Sequence, residues 1–275
     1  MSGALESRRD RRFVSRLERF ERLASTQDVV RGWLVDGVDE VCVAITDTQT
    51  AGRGRLERRW HAPAGRALLL SAGFRPVTLP PTLAWRLPAA ASLAMLDAMT
   101  ALLGPTSARL ALKWPNDVVA VHHGRVLKVG GVLAEGTPEG DRMATAVVGI
   151  GANVDWPAQD FPAHLASTMW SLSEAAAGRA IDREALLWAW LLRLEPRYRA
   201  LSEGHFESRA WADAQVTTGA EVEVVTGRQS LRGIATGVDD VTGALLVRVR
   251  DEQTPRAVAY GDVVSCRVDP PASSL

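Results

Sequence analysis

Four arginines and two glycines share one twelve-residue stretch, Gln49-Thr50-Ala51-Gly52-Arg53-Gly54-Arg55-Leu56-Glu57-Arg58-Arg59-Trp60. Glycine lets the backbone bend sharply and approach a ligand. A guanidinium offers a planar fork that grips a phosphate or carboxylate through two hydrogen bonds. The stretch therefore suits an anion site, or else a solvated, flexible loop. A second stretch, Lys113-Trp114-Pro115-Asn116-Asp117, places three polar side chains around Trp and Pro between two apolar segments. Such groups are costly to bury without partners, so this is a site or a tight turn closed by its own Lys–Asp pair. In Lys128-Val129-Gly130-Gly131-Val132-Leu133 a lysine opens an apolar strand. It either neutralises an anion in a cleft or snorkels to the surface, and the glycine pair marks a bulge or a close backbone approach. Gly149-Ile150-Gly151-Ala152-Asn153-Val154 lacks the third glycine and the strand–turn–helix setting of a dinucleotide fingerprint.

These residues need a scaffold, and the chain's patterning supplies one. A charge-rich tail over 1–20 runs into a short helix. A helix follows, capped by Ser25 or Thr26, with Val29, Val30, Trp33 and Leu34 at helical spacing and Gly37 beyond its end. Residues 41–46 and 67–74 read as buried strands, with the arginine loop between them. Pro80 and Pro81 break the chain before an alanine-rich helix over 84–102. Strands are expected at 108–113 and 117–121, then, after a turn at His122-His123-Gly124-Arg125, at 128–135 and 144–153. A helix spans 183–203, with Leu186, Leu187, Trp190, Leu191 and Leu194 on one face. Five short strands between 221 and 268, separated by turn signals, suggest a small β-barrel. The chain thus divides into a tail (1–22), a main domain (23–215) and a C-terminal domain (216–275).

Composition narrows the function classes. Lysine plus arginine number 32 and aspartate plus glutamate 32, so no bulk positive charge argues for nucleic-acid binding. Cys42 and Cys266 are the only cysteines and have no metal-ligand spacing to histidine, which excludes a disulfide scaffold and a zinc signature. No apolar run is read as a membrane span. The N-terminus, with four arginines between Arg8 and Arg12, has no apolar signal core. A cytoplasmic protein is expected.

Together the motifs resemble the biotin–protein ligase family. The resemblance rests on Ser25-Thr26-Gln27, QTAGRGR with Trp60, KWPND (113–117), KVGGVLAE (128–135) and GIGANV (149–154), and it continues through GVDDVTGALLV (237–247) and YGDVVSCR (260–267). It implies an α+β fold, a mixed β-sheet with helices packed on one face, followed by a C-terminal SH3-like β-barrel. It implies the substrates biotin and ATP with Mg²⁺, an intermediate biotinyl-5′-adenylate, and transfer to a lysine of the biotin carboxyl carrier domain of acetyl-CoA or related carboxylases. Carried over by position, Ser25, Thr26, Gln27 and Gln49 would meet the biotin head, Arg53 and Gly54 its tail, and Gly131 would bring backbone close. Arg55 and Lys128 would lie between the biotin carboxylate and the α-phosphate. Arg58, Trp60, Lys113, Asn116, Asp117 and Asn153 would serve the nucleotide side. Arg55, Lys128 and Asp117 would be catalytic, Asp117 as a base for the acceptor amine. Direct metal ligands do not follow from the resemblance.

Two positions depart from the family pattern. Gln27 stands where Asn is more usual, and Leu56-Glu57 where some relatives have Arg and Gly; Glu57 is expected to pair with a neighbouring arginine and alter loop closure. The first motif lies too near the N-terminus for the helix-turn-helix of DNA-binding relatives, so a ligase without DNA binding, monomeric or weakly dimeric, is expected. The rival readings are a lipoate or octanoate ligase or transferase of the same superfamily, a non-catalytic biotin-sensing regulator, and a C-terminal barrel that binds nucleic acid or peptide through Arg228, Arg232, Arg248 and Arg250. The arginine loop is expected to act as a lid that keeps the adenylate from water. Hydrogen exchange over residues 50–60 should therefore slow when biotin and ATP are added.

Overall fold

The computed structural model describes residues 13–227 and 229–267; the arginine-rich stretch 8–12, Arg228 and the last eight residues lie outside them. The first sheet has seven strands in the order β1-β2-β3-β7-β6-β5-β4. They are β1 (Arg16–Leu23), β2 (Cys42–Gln49), β3 (Ala67–Phe74), β4 (Arg109–Lys113), β5 (Asp117–His122), β6 (Arg125–Glu139) and β7 (Arg142–Asn153). Only the β1–β2 pair is parallel. The helices are α1 (Thr26–Val35), α2 (Arg86–Leu103), α3 (Leu172–Ala175), α4 (Arg183–Ser202) and α5 (Ser208–Asp213).

From Arg16 onward strand β1 stands where a tail and short helix were expected; residues 1–12 of that expectation lie outside the described residues. Its charges invite a solvated reading, but an edge strand tolerates charge, and its two apolar anchors point to opposite faces. Leu17 packs against the main core and Phe20 against the cluster around Trp33. The folded domain therefore begins before residue 23.

Alternation along the strands divides the sheet into two unlike faces. On β7, Val148, Ile150 and Ala152 join the main core, beneath the long helices α2 and α4. Alanines 90, 91, 94 and 98 of α2 are buried and let it lie close. Trp190 of α4 donates from Nε1 to the Ala91 carbonyl at 3.1 Å. The segment Pro81–Leu103 is long and apolar enough to span a membrane, contrary to the expectation that no run would be, but it is 67% buried as the core helix. Helix α1 lies on the opposite face, where Val30, Trp33 and Leu34 pack on Cys42, Ala44 and Val147. That second face holds the site.

The C-terminal unit is a five-stranded antiparallel sheet, β11-β10-β9-β8-β12. Its strands are β8 (Glu221–Thr226), β9 (Gln229–Val238), β10 (Leu245–Arg248), β11 (Arg256–Val258) and β12 (Asp262–Arg267). The segment leading into it belongs to the first sheet: Leu112 donates to the Ala214 carbonyl and accepts from the Val216 amide, both at 2.8 Å. One turn rivets the two units. The Asp239 carboxylate accepts from the Val241 and Thr242 amides and the Thr242 hydroxyl. This shapes a turn whose carbonyls receive two indoles, Trp85 Nε1 at Val241 (3.2 Å) and Trp114 Nε1 at Gly243 (3.0 Å).

Gly243 has φ +71°, and a Cβ there would lie 2.6 Å from the Trp85 ring. Gly227 has φ +59° and nothing within 4 Å. Gly227→Ala should cost about 1–2 kcal/mol for its left-handed backbone. Gly243→Ala should cost about 1–3 kcal/mol more for the overpacking. Denaturant midpoints of the two variants check this; equal losses would mean that the indole contact is slack.

Candidate functional site

A cavity of about 830 Å³ opens on the α1 face of the first sheet. Its floor comes from the same alternation that builds the core. Gly149 and Gly151 face it while Ile150 between them faces the long helices; Gly131 and Leu133 of β6 and Ser71 of β3 lie beside them in register. Small floor residues admit large neighbours. A Cβ on Gly151 would lie 2.5 Å from the Trp60 ring, and one on Gly149 3.0 Å from the Gln27 amide nitrogen. The start of α1, the arginine loop, the KWPND hairpin, residues 162–169 and strand β12 form the walls.

One end of the cavity is lined by uncharged polar side chains, with Arg53 at their edge. Ser25, Thr26 and Gln27 are buried where α1 begins, and the Ser25 hydroxyl makes no capping bond. Gln49 Oε1 accepts from the Thr26 amide (2.9 Å) and the Thr26 hydroxyl (3.2 Å). Thr26 also shares a 2.8 Å hydrogen bond with Ser71. Both bonds to Gln49 fall on its oxygen, so its Nε2 is the group left to donate to a ligand. Gln27 is committed elsewhere: Nε2 donates to the Leu133 carbonyl at 3.1 Å, and Oε1 accepts from Arg53 at 3.3 Å.

The other end is cationic. Lys128 Nζ pairs with Asp117 Oδ1 at 2.6 Å and stands 5.5 Å from the Trp60 ring centre, within cation–π range. Its backbone is fixed on both sides, to Thr168 O (2.8 Å) and from the Trp170 amide (2.9 Å). Asp117 faces it because β5 starts there, after the three-residue hairpin Trp114-Pro115-Asn116. Asn116 Nδ2 ties that hairpin to the Val132 carbonyl at 2.6 Å, and Thr217 Oγ1 accepts from the Trp114 amide. Lys113 lines the same end and faces Cys266; burial pushes the Cys266 thiol up, against the pull of Lys113.

The arginine loop folds back on itself. Gly54 donates to Arg58 O (2.7 Å), Arg58 to Arg55 O (3.1 Å) and Trp60 to Gly52 O (3.0 Å). At the tip Leu56 (φ 53°) and Glu57 (φ 60°) are both left-handed. A type I′ turn demands this backbone and prefers Asn-Gly for it; for other residues it costs about 1–2 kcal/mol each. The root is pinned by Arg53, which binds both Asp28 oxygens (2.9 and 3.0 Å) and approaches Glu135 at 3.4 Å. The Arg53 hydrogen bond is the main cause holding the Asp28 carboxyl below its usual value. The tip is pinned by the C-terminal unit. Arg55 donates to Gly261 O at 3.0 Å, and Asp262 pairs closely with Arg58 and lies 3.9 Å from Arg55. Burial lowers the Arg55 pKa, and the nearby Asp262 and Asp117 oppose that shift.

Ser25, Thr26, Gln27, Gln49, Arg53, Gly54, Arg55, Arg58, Trp60, Lys113, Asn116, Asp117, Lys128 and Gly131 all line this one cavity. Asn153 does not. It is fully buried, donates to Trp170 O at 3.0 Å and has an unpartnered Oδ1. Among the described residues Glu57, in its left-handed turn, forms no ion pair, and Asp262 takes the arginines instead. The sequence reading missed Ser71, Leu133, Gly149, His61, the 162–169 wall with His164, and Asp262 to Cys266. Gly149 was legible from its alternation with Gly151, and Asp262 from its place in YGDVVSCR; residues 162–169 carry no motif. Among the described residues no cluster of three His, Cys, Asp or Glu side chains offers a metal cage. A cation here would be held by a ligand's own oxygens and one carboxylate such as Asp117, which suits Mg²⁺ with phosphate.

The profile of the biotin/lipoate A/B protein ligase family matches residues 19–153. A biotin–[acetyl-CoA-carboxylase] ligase of Mycobacterium tuberculosis is 35% identical over 236 residues, covering 85% of this chain and 80% of that one. A bifunctional ligase/repressor of Bacillus spizizenii is 32% identical over 231 residues, 83% of this chain and 68% of its own. A biotin protein ligase from Aquifex aeolicus, solved in complex with biotin and ATP, matches the fold with a TM-score of 0.73 at 26% identity, covering 92% of this chain and 99% of that one.

The Lys128–Asp117 pair sets a stability test. Its two side chains are 27% and 18% exposed. Lys128→Met leaves a half-buried carboxylate without its cation and should cost about 1–3 kcal/mol. In an Asp117→Asn background the same change should cost clearly less. Urea unfolding of the four proteins gives the coupling; simple additivity would rule the pair out as a unit.

Proposed function

This chain belongs to the biotin–protein ligase family, and from that membership we propose that it activates biotin with ATP and attaches it to one lysine of a biotin carboxyl carrier domain. The carrying observation is one cavity whose uncharged polar end, around Gln49 and Thr26, meets a cationic end, around Arg55, Arg58 and Lys128, across a glycine floor. Biotin has that polarity, a neutral ureido head and a carboxylate tail. Gln49 Nε2 and the Ser25 hydroxyl are the groups assigned to the head, with Gly131 and Gly54 along the chain.

The first step joins the biotin carboxylate to the α-phosphorus of ATP. A carboxylate oxygen bonds to phosphorus as pyrophosphate departs, leaving biotinyl-5′-adenylate. Two anions must meet, and their repulsion grows in a half-buried cavity. Arg55 and Lys128 offset that repulsion and stabilise charge developing on the phosphoryl oxygens. Arg58 and Lys113 are assigned to the outer phosphates, Trp60 to the base, and Asn116 and Asp117 to the nucleotide side. Asn153 supports the wall rather than touching substrate. Asp117 would help hold Mg²⁺, which would neutralise charge on the phosphates of ATP. In the second step the acceptor amine attacks the mixed anhydride and AMP leaves. Asp117, released when Lys128 turns to the phosphate, is the group assigned to take the proton.

The partner in this reading is a carrier domain of acetyl-CoA or a related carboxylase. The balanced charge gives no bulk positive field for DNA. A monomer or weak homodimer in the cytoplasm completes the proposal, and the free cysteines suit a reducing compartment.

The test is a transfer assay with labelled biotin, Mg·ATP and a carboxyl-carrier domain, alongside a carrier whose acceptor lysine is replaced by alanine. Label should appear only on the lysine-bearing carrier. Arg55→Ala and Lys128→Ala should each lower pyrophosphate release about 100-fold or more. Equal labelling with lipoate in place of biotin would overturn the substrate assignment.

A further inference from the structure

Asp262 begins β12 of the C-terminal sheet but lines the cavity of the first domain. Its side chain is 14% exposed, and its carboxylate receives both arginines of the loop tip, Arg58 closely and Arg55 at 3.9 Å. The carbonyl just before it, Gly261 O, accepts from the same Arg55 nitrogen at 3.0 Å. One turn of the distant unit therefore holds the tip by two kinds of contact.

The loop needs such a hold. Its root is secured without the C-terminal unit, by Arg53 on Asp28 and Glu135. Its tip contains two consecutive left-handed residues, Leu56 and Glu57, neither of which favours that backbone. A tip that is strained in isolation opens when its outside partner is lost. Asp262 is that partner, and Arg55 is the cation assigned above to the reacting phosphate.

We propose that Asp262 is the positioning residue of the arginine loop: it holds Arg55 and Arg58 over the cavity, and so sets how long the activated intermediate is retained before transfer. The proposal rests on the ligase reading for its second half. It does not make Asp262 a catalytic residue, since the carboxylate acts through the arginines. Biotinyl-adenylate is an acyl phosphate that water destroys, so a loop that opens early loses the intermediate to solvent.

The experiment uses the full chain as wild type, Asp262→Asn and Asp262→Glu. Without any ligand, hydrogen exchange over residues 53–59 should quicken about tenfold in Asp262→Asn, the size of one charge-assisted hydrogen bond, and return towards wild type in Asp262→Glu. Unchanged exchange there, or exchange raised equally throughout the C-terminal sheet, would show that Asp262 merely glues the units together and would overturn the proposal. With biotin and Mg·ATP but no carrier, escape of biotinyl-adenylate from the enzyme should be about tenfold faster in Asp262→Asn, again restored by glutamate. Equal escape rates would overturn the retention half. A wild type that releases no pyrophosphate would instead reject the ligase reading, while the ligand-free exchange would still decide whether Asp262 holds the tip.

Discussion

The site must keep several cations close together in a half-buried cavity before any anion arrives, and much of the structure answers that constraint. Bare like charges in a low dielectric repel strongly, and a buried charge without a partner is costly. Each of the main cations accordingly has a carboxylate of the chain's own. Lys128 has Asp117, Arg53 has Asp28 and Glu135, and Arg55 and Arg58 have Asp262. The carboxylates come from α1, β5, β6 and β12, so the charge balance of one cavity depends on elements spread over the whole chain. At Lys128 a substrate phosphate can take the place of Asp117, because one anion replaces another.

The sheet makes this possible by keeping its two faces apart. Period-two alternation sends Val148, Ile150 and Ala152 into a core under α2 and α4, and turns Gly149 and Gly151 towards the cavity. A rigid hydrophobic layer thus backs a floor with almost no side chains. The Trp60 ring can rest on that floor, and Lys128 can stand over the ring. The C-terminal sheet adds the remaining wall. Its placement depends on Trp85 and Trp114, and Trp114 belongs to the hairpin that presents Asn116 and Asp117. Domain docking and hairpin geometry are therefore the same set of contacts.

Much of this was legible in the residues. Gly and Arg in the 49–60 stretch, and Lys, Asn and Asp around Trp114, announced chemistry because their types are costly or strained anywhere else. What stayed hidden has physical reasons. The β1 strand hid because charged residues on an edge look like those of a solvated tail, and its pairing partner lies more than twenty residues away in sequence. The wall at 162–169 hid because it is held by backbone bonds to β6, through Thr168 and Trp170 on Lys128, which leave no pattern in side-chain type. Asn153, expected on the nucleotide side, is buried at the end of β7 and does not line the cavity, a burial its motif does not announce. Asp262 was visible as a motif residue, yet its partners are some two hundred positions away, and no local reading pairs across that distance.

The departures from the family pattern take on meaning in this light. Gln27 is one methylene longer than the usual Asn, and its amide spans from Leu133 on the sheet to Arg53 at the root of the loop. It serves as a strut between floor and loop, while Gln49, whose oxygen is already filled by Thr26, presents its Nε2 as the donor. Leu56 and Glu57 work the other way. Where a Gly at position 57 would let the tip turn at little cost, Glu57 resists the left-handed backbone, and Leu56 resists it as an Arg would. The chain has a loop stiffened at its root and strained at its tip, so closure depends on the one contact outside the loop that can oppose the strain. In this protein the balance between open and closed loop is therefore set by the C-terminal unit, through Asp262 and Gly261, more than by the arginine loop itself.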